Sequence, residues 1–220
     1  MSNHFAISPL VFLIGFLSFQ SNPSVNNLAD YSEQEVFQGI FFGDGAFAEN
    51  VPQLAKFGPE SHAKNAKDLE QAREFQANIM EQVDAKNPGY ITSLHSAVLS
   101  GSHVKIQAAI YKGAKILDNV VWSVDKNINQ EVRTKIMEDL GKKVNANTST
   151  EELNNLVDNY LEGLTADNPD MARAACVLVL AVVVAVAVGV FLWVVYIVEA
   201  SVERTPLANE QIINSIANMR

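Results

Sequence analysis

The chain has 220 residues, a formal net charge of −9 and a single cysteine, Cys176. This length allows one domain with appended segments. An acidic chain is a poor ligand for nucleic acid, which attracts basic surfaces, so we expect no nucleic-acid partner. One cysteine excludes an internal disulfide and a cysteine-based metal site.

Residues 1–21 have the pattern of a signal peptide or an N-terminal anchor, because Leu10–Phe19 is an apolar core of signal-peptide length. No Lys or Arg precedes this core, and Ser18-Phe19-Gln20-Ser21 is a poor small-x-small cleavage site. A mis-set start codon that lost a basic region is a further alternative. Residues 22–31 are predicted to be a polar linker. If the first segment is a leader, the acidic domain after it is exported.

A helix is predicted over residues 33–42. Ser32 and Glu35 have the spacing of a capping box, with Ser32 as N-cap. Gly43 and Gly45 are predicted to stop the helix, since a backbone at positive φ favours glycine. Gly-x-Gly also occurs in phosphate-binding loops, but no strand precedes it and no Lys-Ser/Thr follows, so a turn is favoured.

Apolar residues at helical spacing continue through the predicted acidic helical domain, residues 32–168, and no alternating strand pattern occurs. Pro59 is placed to open a helix at its first position. The two longest stripes are Leu69, Ala72, Phe75, Gln76, Ile79, Met80 and Val83, with Gln76 as a polar break, and Val104, Ala108, Tyr111, Ala114, Leu117, Val121 and Val124. The sequence therefore predicts an all-α bundle of four or five helices.

Residues 169–204 are predicted to contain a long apolar helix. Ala174–Val198, the apolar segment, is 25 residues without a charge. As a helix it would be about 38 Å long, against about 30 Å for a hydrocarbon core. Its 14 Val, Leu and Phe residues between Cys176 and Tyr196 favour insertion by about 4 to 8 kcal/mol. The sequence predicts a membrane-active, transmembrane-type helix; the alternative is a buried helix of a soluble protein.

Two sets of residues in the apolar segment are candidate interaction sites. Ala181, Ala185 and Gly189 fall four apart and form a small-residue seam, where helix backbones approach closely in lipid. This seam predicts self-association or contact with a membrane partner, although Ala and Gly are common in such helices. Trp193 and Tyr196 suit a membrane interface.

Residues 205–220 are predicted to form a short C-terminal amphipathic helix opened by Thr205-Pro206. Its apolar face comprises Leu207, Ile212, Ile213 and Ile216. This helix lies either on a membrane surface or against the bundle.

No residue pattern indicates an enzyme, a cofactor or a metal site. His62, His95 and His103 lack metal-ligand spacing. The carboxylate pairs Glu151-Glu152 and Glu138-Asp139 lie beside predicted helix ends, where they act as caps or solvated charges.

The run from Glu35 to Gly45, EVFQGIFFGDG, resembles the hallmark of the sporulation-delaying protein C family of bacterial toxin precursors. The matching residues are Phe37, Gly39, Ile40, Phe42, Gly43 and Gly45, called here the glycine motif. The layout is also similar: a leader, this motif, a helical middle and a strongly apolar segment. The chain departs from the family's best-known member in having one cysteine instead of a pair in the apolar part.

The resemblance implies an exported precursor from which proteolysis near residues 170–175, and near 199–204, releases a membrane-active antimicrobial peptide. The implied partners are the lipid bilayer, a processing protease and a membrane immunity partner, and the implied location is secreted or in the cell envelope. The alternative is an uncleaved single-pass envelope protein with an extracytoplasmic helical domain that binds a partner or has a structural role.

Overall fold

The computed structural model of the protein describes residues 27–63, 65–124 and 207–219, together with residues 151, 152, 155 and 159. The predicted leader and the apolar segment lie outside the described residues. In the described ranges all regular secondary structure is helical, as the sequence predicts, and no strand occurs. Among those helices, none combines the length and apolarity needed to cross a membrane.

The helices of the described ranges follow one another with short connections. In chain order they are a 3-10 turn at Leu28–Asp30, then α1 (Glu33–Phe42), α2 (Gly45–Glu49), α3 (Pro52–Ala55), α4 (Pro59–His62), α5 (Ala66–Lys86), α6 (Tyr90–Leu99), α7 (His103–Val124) and α8 (Leu207–Ala217). The predicted bounds of α1 are confirmed. Residues 27–124 are called the body below.

Helix α1 lies at the centre of the body and packs against α2, α3 and α6, while α5 and α6 pack on α7. From Val36 to Phe42 every residue except Gln38 is buried. A helix that is apolar nearly all round is stable only when other elements surround it. The short helices α2 and α3 and the longer α6 provide that surround, and their apolar residues join α1 in one continuous core.

Two helical predictions differ from the structure. The helix expected from Pro59 is divided, since α4 ends at His62 and α5 begins at Ala66. In α7 the predicted stripe is confirmed at Ala114 and Leu117, which are fully buried. Its first residue, Val104, is 76% exposed, whereas Ile106 and Ile110 are fully buried. Both registers have helical spacing, but burying two isoleucines removes more apolar area from water than burying Val104 and Ala108.

The end of the predicted linker packs on α2 and α6. Leu28 and Tyr31 are buried, and the ring of Tyr31 meets that of Phe47 edge-on at 5.3 Å. Asn50 Nδ2 donates to the Tyr31 hydroxyl at 2.7 Å, and His95 Nε2 donates to the Tyr31 carbonyl at 2.9 Å. These contacts attach the chain before α1 to both α2 and α6.

Helix α8 returns to the body from the far end of the sequence. It packs against α7 and α3, and Ile212, Ile213 and Ile216 are buried in the same core as α1. The sequence left open whether this helix lies on a membrane or on the bundle, and in the structure it lies on the bundle.

Candidate functional site

The glycine motif forms the joint between α1 and α2 at the centre of the body. The motif side chains Phe37, Ile40 and Phe42 are buried, each at most 2% exposed. A capping box begins the helix: Glu35 N–H donates to Ser32 Oγ at 3.2 Å, and Ser32 N–H donates to Glu35 Oε2 at 2.8 Å. The local sequence therefore fixes where α1 starts and directs its aromatic residues into the core.

Gly39 allows α1 and α2 to approach closely. A Cβ at this position would lie 2.9 Å from Phe47 Cβ and 3.0 Å from the Ala48 nitrogen. Both distances are shorter than an ordinary carbon contact, so a side chain here would push α2 away. The motif requires glycine at 39 for packing, not for backbone conformation.

Gly43 ends α1 in the left-handed conformation, with φ of 61°, and its N–H donates to the Gly39 carbonyl at 3.2 Å. A Cβ here would also overlap the Leu54 carbonyl and the backbone of Gly58. Gly45 also has positive φ, 81°, but nothing lies within 4 Å of a Cβ built on it. The two glycines predicted as helix stops thus differ: Gly43 is required for space and conformation, Gly45 for conformation alone, as the first residue of α2.

The aromatic residues of the motif join a cluster that reaches α6 and α7. The ring of Phe37 lies 5.0 Å from that of Phe41, 5.6 Å from that of Phe42 and 6.3 Å from that of Tyr90. The Tyr90 hydroxyl donates to the Ala109 carbonyl at 2.9 Å, and burial raises the pKa of this phenol well above its usual range. The cluster links the motif to the two helices behind it.

A charged contact connects the motif to α4 and α5. Asp44, between Gly43 and Gly45, caps α2 and accepts from Arg73 Nε at 3.3 Å and from its terminal nitrogen at 3.2 Å. Arg73 also donates to Glu60 at 2.8 Å. The hydrogen bond to Asp44 raises the pKa of the Arg73 guanidinium. We did not predict this contact; the only local signal was an Asp before Gly, which suits an N-cap.

The motif side chains pack in the core, while Ser32, Glu35 and Asp44 supply the caps and the ion pair beside them, so the arrangement positions helices. Of the three histidines considered as metal ligands in the sequence, His95 is half-buried and donates a hydrogen bond to the Tyr31 carbonyl, and His103 is exposed. The side chain of His62 lies outside what the structure describes. Within the described part of the chain, no group of three His, Cys, Asp or Glu side chains could hold a metal ion.

A second candidate site is the surface that receives α8, formed by α3, α7 and the α6–α7 turn. Ser215 Oγ donates to Gln53 Oε1 at 3.4 Å, and the Ala217 carbonyl lies 3.8 Å from a Cβ built on Gly101. The glycine motif and this surface share one core, because the buried isoleucines of α8 belong to the same cluster as Phe37.

Three predicted features stay predictions: the small-residue seam Ala181, Ala185 and Gly189, the interface aromatics Trp193 and Tyr196, and the helix 169–204 that contains them. All lie outside the described residues.

In the described ranges the protein is all-helical, and its glycine motif joins α1 and α2 at the centre of the body. A family described as the sporulation delaying protein family toxin matches residues 29–220. The chain belongs to this family, as its resemblance at the glycine motif implied. No curated protein and no solved structure matches the chain.

Proposed function

We propose that the protein is an exported precursor of a membrane-active peptide toxin, from which proteolysis on both sides of the apolar segment releases the active peptide. Before release, the body covers or delivers this segment. The peptide then inserts into target-cell membranes, with the small-residue seam as its self-association face. A processing protease and a membrane immunity partner belong to the same proposal.

Membership of a toxin family is the observation that carries this proposal. The matched range includes the apolar segment as well as the body, and the segment is the part of the chain whose composition suits lipid. A charge-free run of 25 residues gains free energy on insertion, about 4 to 8 kcal/mol from its Val, Leu and Phe side chains.

The contact between α8 and α7 favours the precursor over an uncleaved single-pass protein. Helix α7 precedes the apolar segment in the sequence and α8 follows it, yet both pack in one core. A single crossing of a bilayer would put the two helices on opposite sides of the membrane. Spanning by this segment therefore requires that α8 leave the body or that the chain be cut.

A synthetic peptide of residues 174–198 tests the proposal. It should depolarise vesicles of bacterial lipids and intact bacterial cells. A peptide carrying Val183→Asp and Val186→Asp is the matched control, because each central Asp opposes insertion by about 2.5 to 3.5 kcal/mol. If the unmodified peptide leaves the membrane potential intact, or if the control depolarises equally well, the proposed function is wrong.

A further inference from the structure

We infer that α8 is an internal clasp: its contact with α3 and α7 holds the carboxyl end of the apolar segment on the body until that contact is broken. The inference rests on the proposed function, because only a segment that is later released needs to be retained first. It adds a regulatory role for a helix outside the toxic peptide itself.

The clasp has the two faces of a bound amphipathic helix. Ile212 and Ile213 are 4% and 5% exposed, and Ile216 is fully buried. Glu210, Gln211 and Asn214 on the other face are exposed. Apolar burial of this kind does not require that α8 stay covalently linked to the body.

The contact surface of the clasp is built by elements far away in the sequence. Ser215 reaches Gln53 on α3, the isoleucines pack in the core shared with α7, and Ala217 lies near the turn at Gly101. Every one of these partners precedes the apolar segment. After a cut near residues 170–175, α8 would belong to the carboxyl-terminal fragment, and the residues that it contacts would all belong to the amino-terminal fragment.

Release then depends on both cleavages. A cut on the amino side alone leaves residues 174–220 bound to the body through α8. A cut near 199–204 separates the apolar segment from the clasp, which stays on the body. Release of the peptide thus requires the carboxyl-side cut, or loss of the α8 contact, in addition to the amino-side cut.

The experiment uses the full chain with two engineered protease sites, one between Asp170 and Met171 and one between Ser201 and Val202, with an affinity tag on the amino end of the body. The protein is kept in mild detergent so that the apolar segment does not adhere non-specifically. After the first cut, the fragment beginning at Met171 should remain with the tagged body. After both cuts, the apolar fragment should elute with micelles while the α8 peptide stays on the body.

Two substitutions test whether α8 is responsible for retention. Ile216→Ala should weaken retention of the singly cut fragment by at least about 30-fold, because truncating a buried isoleucine removes apolar contacts and leaves a cavity. Gln211→Ala on the exposed face is the matched control and should retain the fragment as the unmodified chain does. Circular dichroism of the uncut variants checks that the body remains helical.

Immediate loss of the singly cut fragment from the unmodified chain would overturn the inference. So would retention of the apolar fragment after both cuts, or equal retention in the Ile216→Ala and Gln211→Ala variants. These readouts measure fragment binding in detergent, with no membrane potential and no target cell. A peptide that fails to depolarise membranes would therefore overturn the proposed function and leave the retention result standing as a separate observation.

Discussion

At the residue scale, the core of the body contains one polar side chain at odds with its surroundings. Gln76 is 1% exposed and lies on the buried face of α5 with Phe75 and Ile79. Within the described part of the chain, neither its Nε2 nor its Oε1 has a hydrogen-bond partner. A buried amide without partners lowers stability, because folding removes its hydrogen bonds to water without replacing them.

Replacing Gln76 with an apolar side chain of similar size should therefore stabilise the protein. For Gln76→Met we expect the free energy of unfolding to rise by about 1 to 3 kcal/mol, the usual cost of one unsatisfied buried polar group. Gln107→Met, the same change at an exposed position of α7, should alter it by less than about 0.5 kcal/mol. Denaturant titration followed by circular dichroism measures both. A lower midpoint for Gln76→Met than for the unmodified chain would show that the amide is satisfied in the protein.

At the scale of elements, the joint between α1 and α2 depends on the absence of a side chain at position 39. The body brings Phe47 and Ala48 of α2 against Gly39, so two helices pack at backbone distance. A motif rich in glycine can therefore form the centre of a core. The glycine face of α1 packs directly on α2, and the aromatic side chains of α1 pack against the other helices.

Gly39→Ala should destabilise the body by about 1 to 3 kcal/mol through overpacking, although alanine favours helix formation over glycine by about 1 kcal/mol. Phe47→Leu creates room opposite position 39, so the double variant should be more stable than the sum of the two single changes predicts. A double-mutant cycle by denaturant titration measures this coupling. Additivity within about 0.5 kcal/mol would mean that Gly39 and Phe47 do not constrain one another.

Element boundaries that depend on local signals could be predicted, and contacts between distant residues could not. The bounds of α1 follow from Ser32, Glu35 and Gly43, all within reach of its own ends. The buried face of the first turns of α7 could not be obtained this way, because two apolar stripes overlap there and only the helices packed around α7 determine which one is buried. The contact between Asp44 and Arg73 joins residues 29 apart in sequence, and no local pattern indicates it.

At the scale of the whole molecule, the described structure places helices from before and after the apolar segment in one core. The body precedes the segment and α8 follows it, and buried residues of both belong to this core. This arrangement suits a protein that keeps a lipid-preferring segment attached before processing. It also explains why residues that precede the apolar segment in the sequence and residues that follow it contribute to one core.

The central claim is that the apolar segment leaves the precursor as a separate peptide, and mass spectrometry of the culture medium of producing cells tests it most directly. The account predicts a fragment that contains Val177–Tyr196 and lacks α8, with ends near residues 170–175 and 199–204. Recovery of only the full-length chain, retained in the membrane, would contradict it.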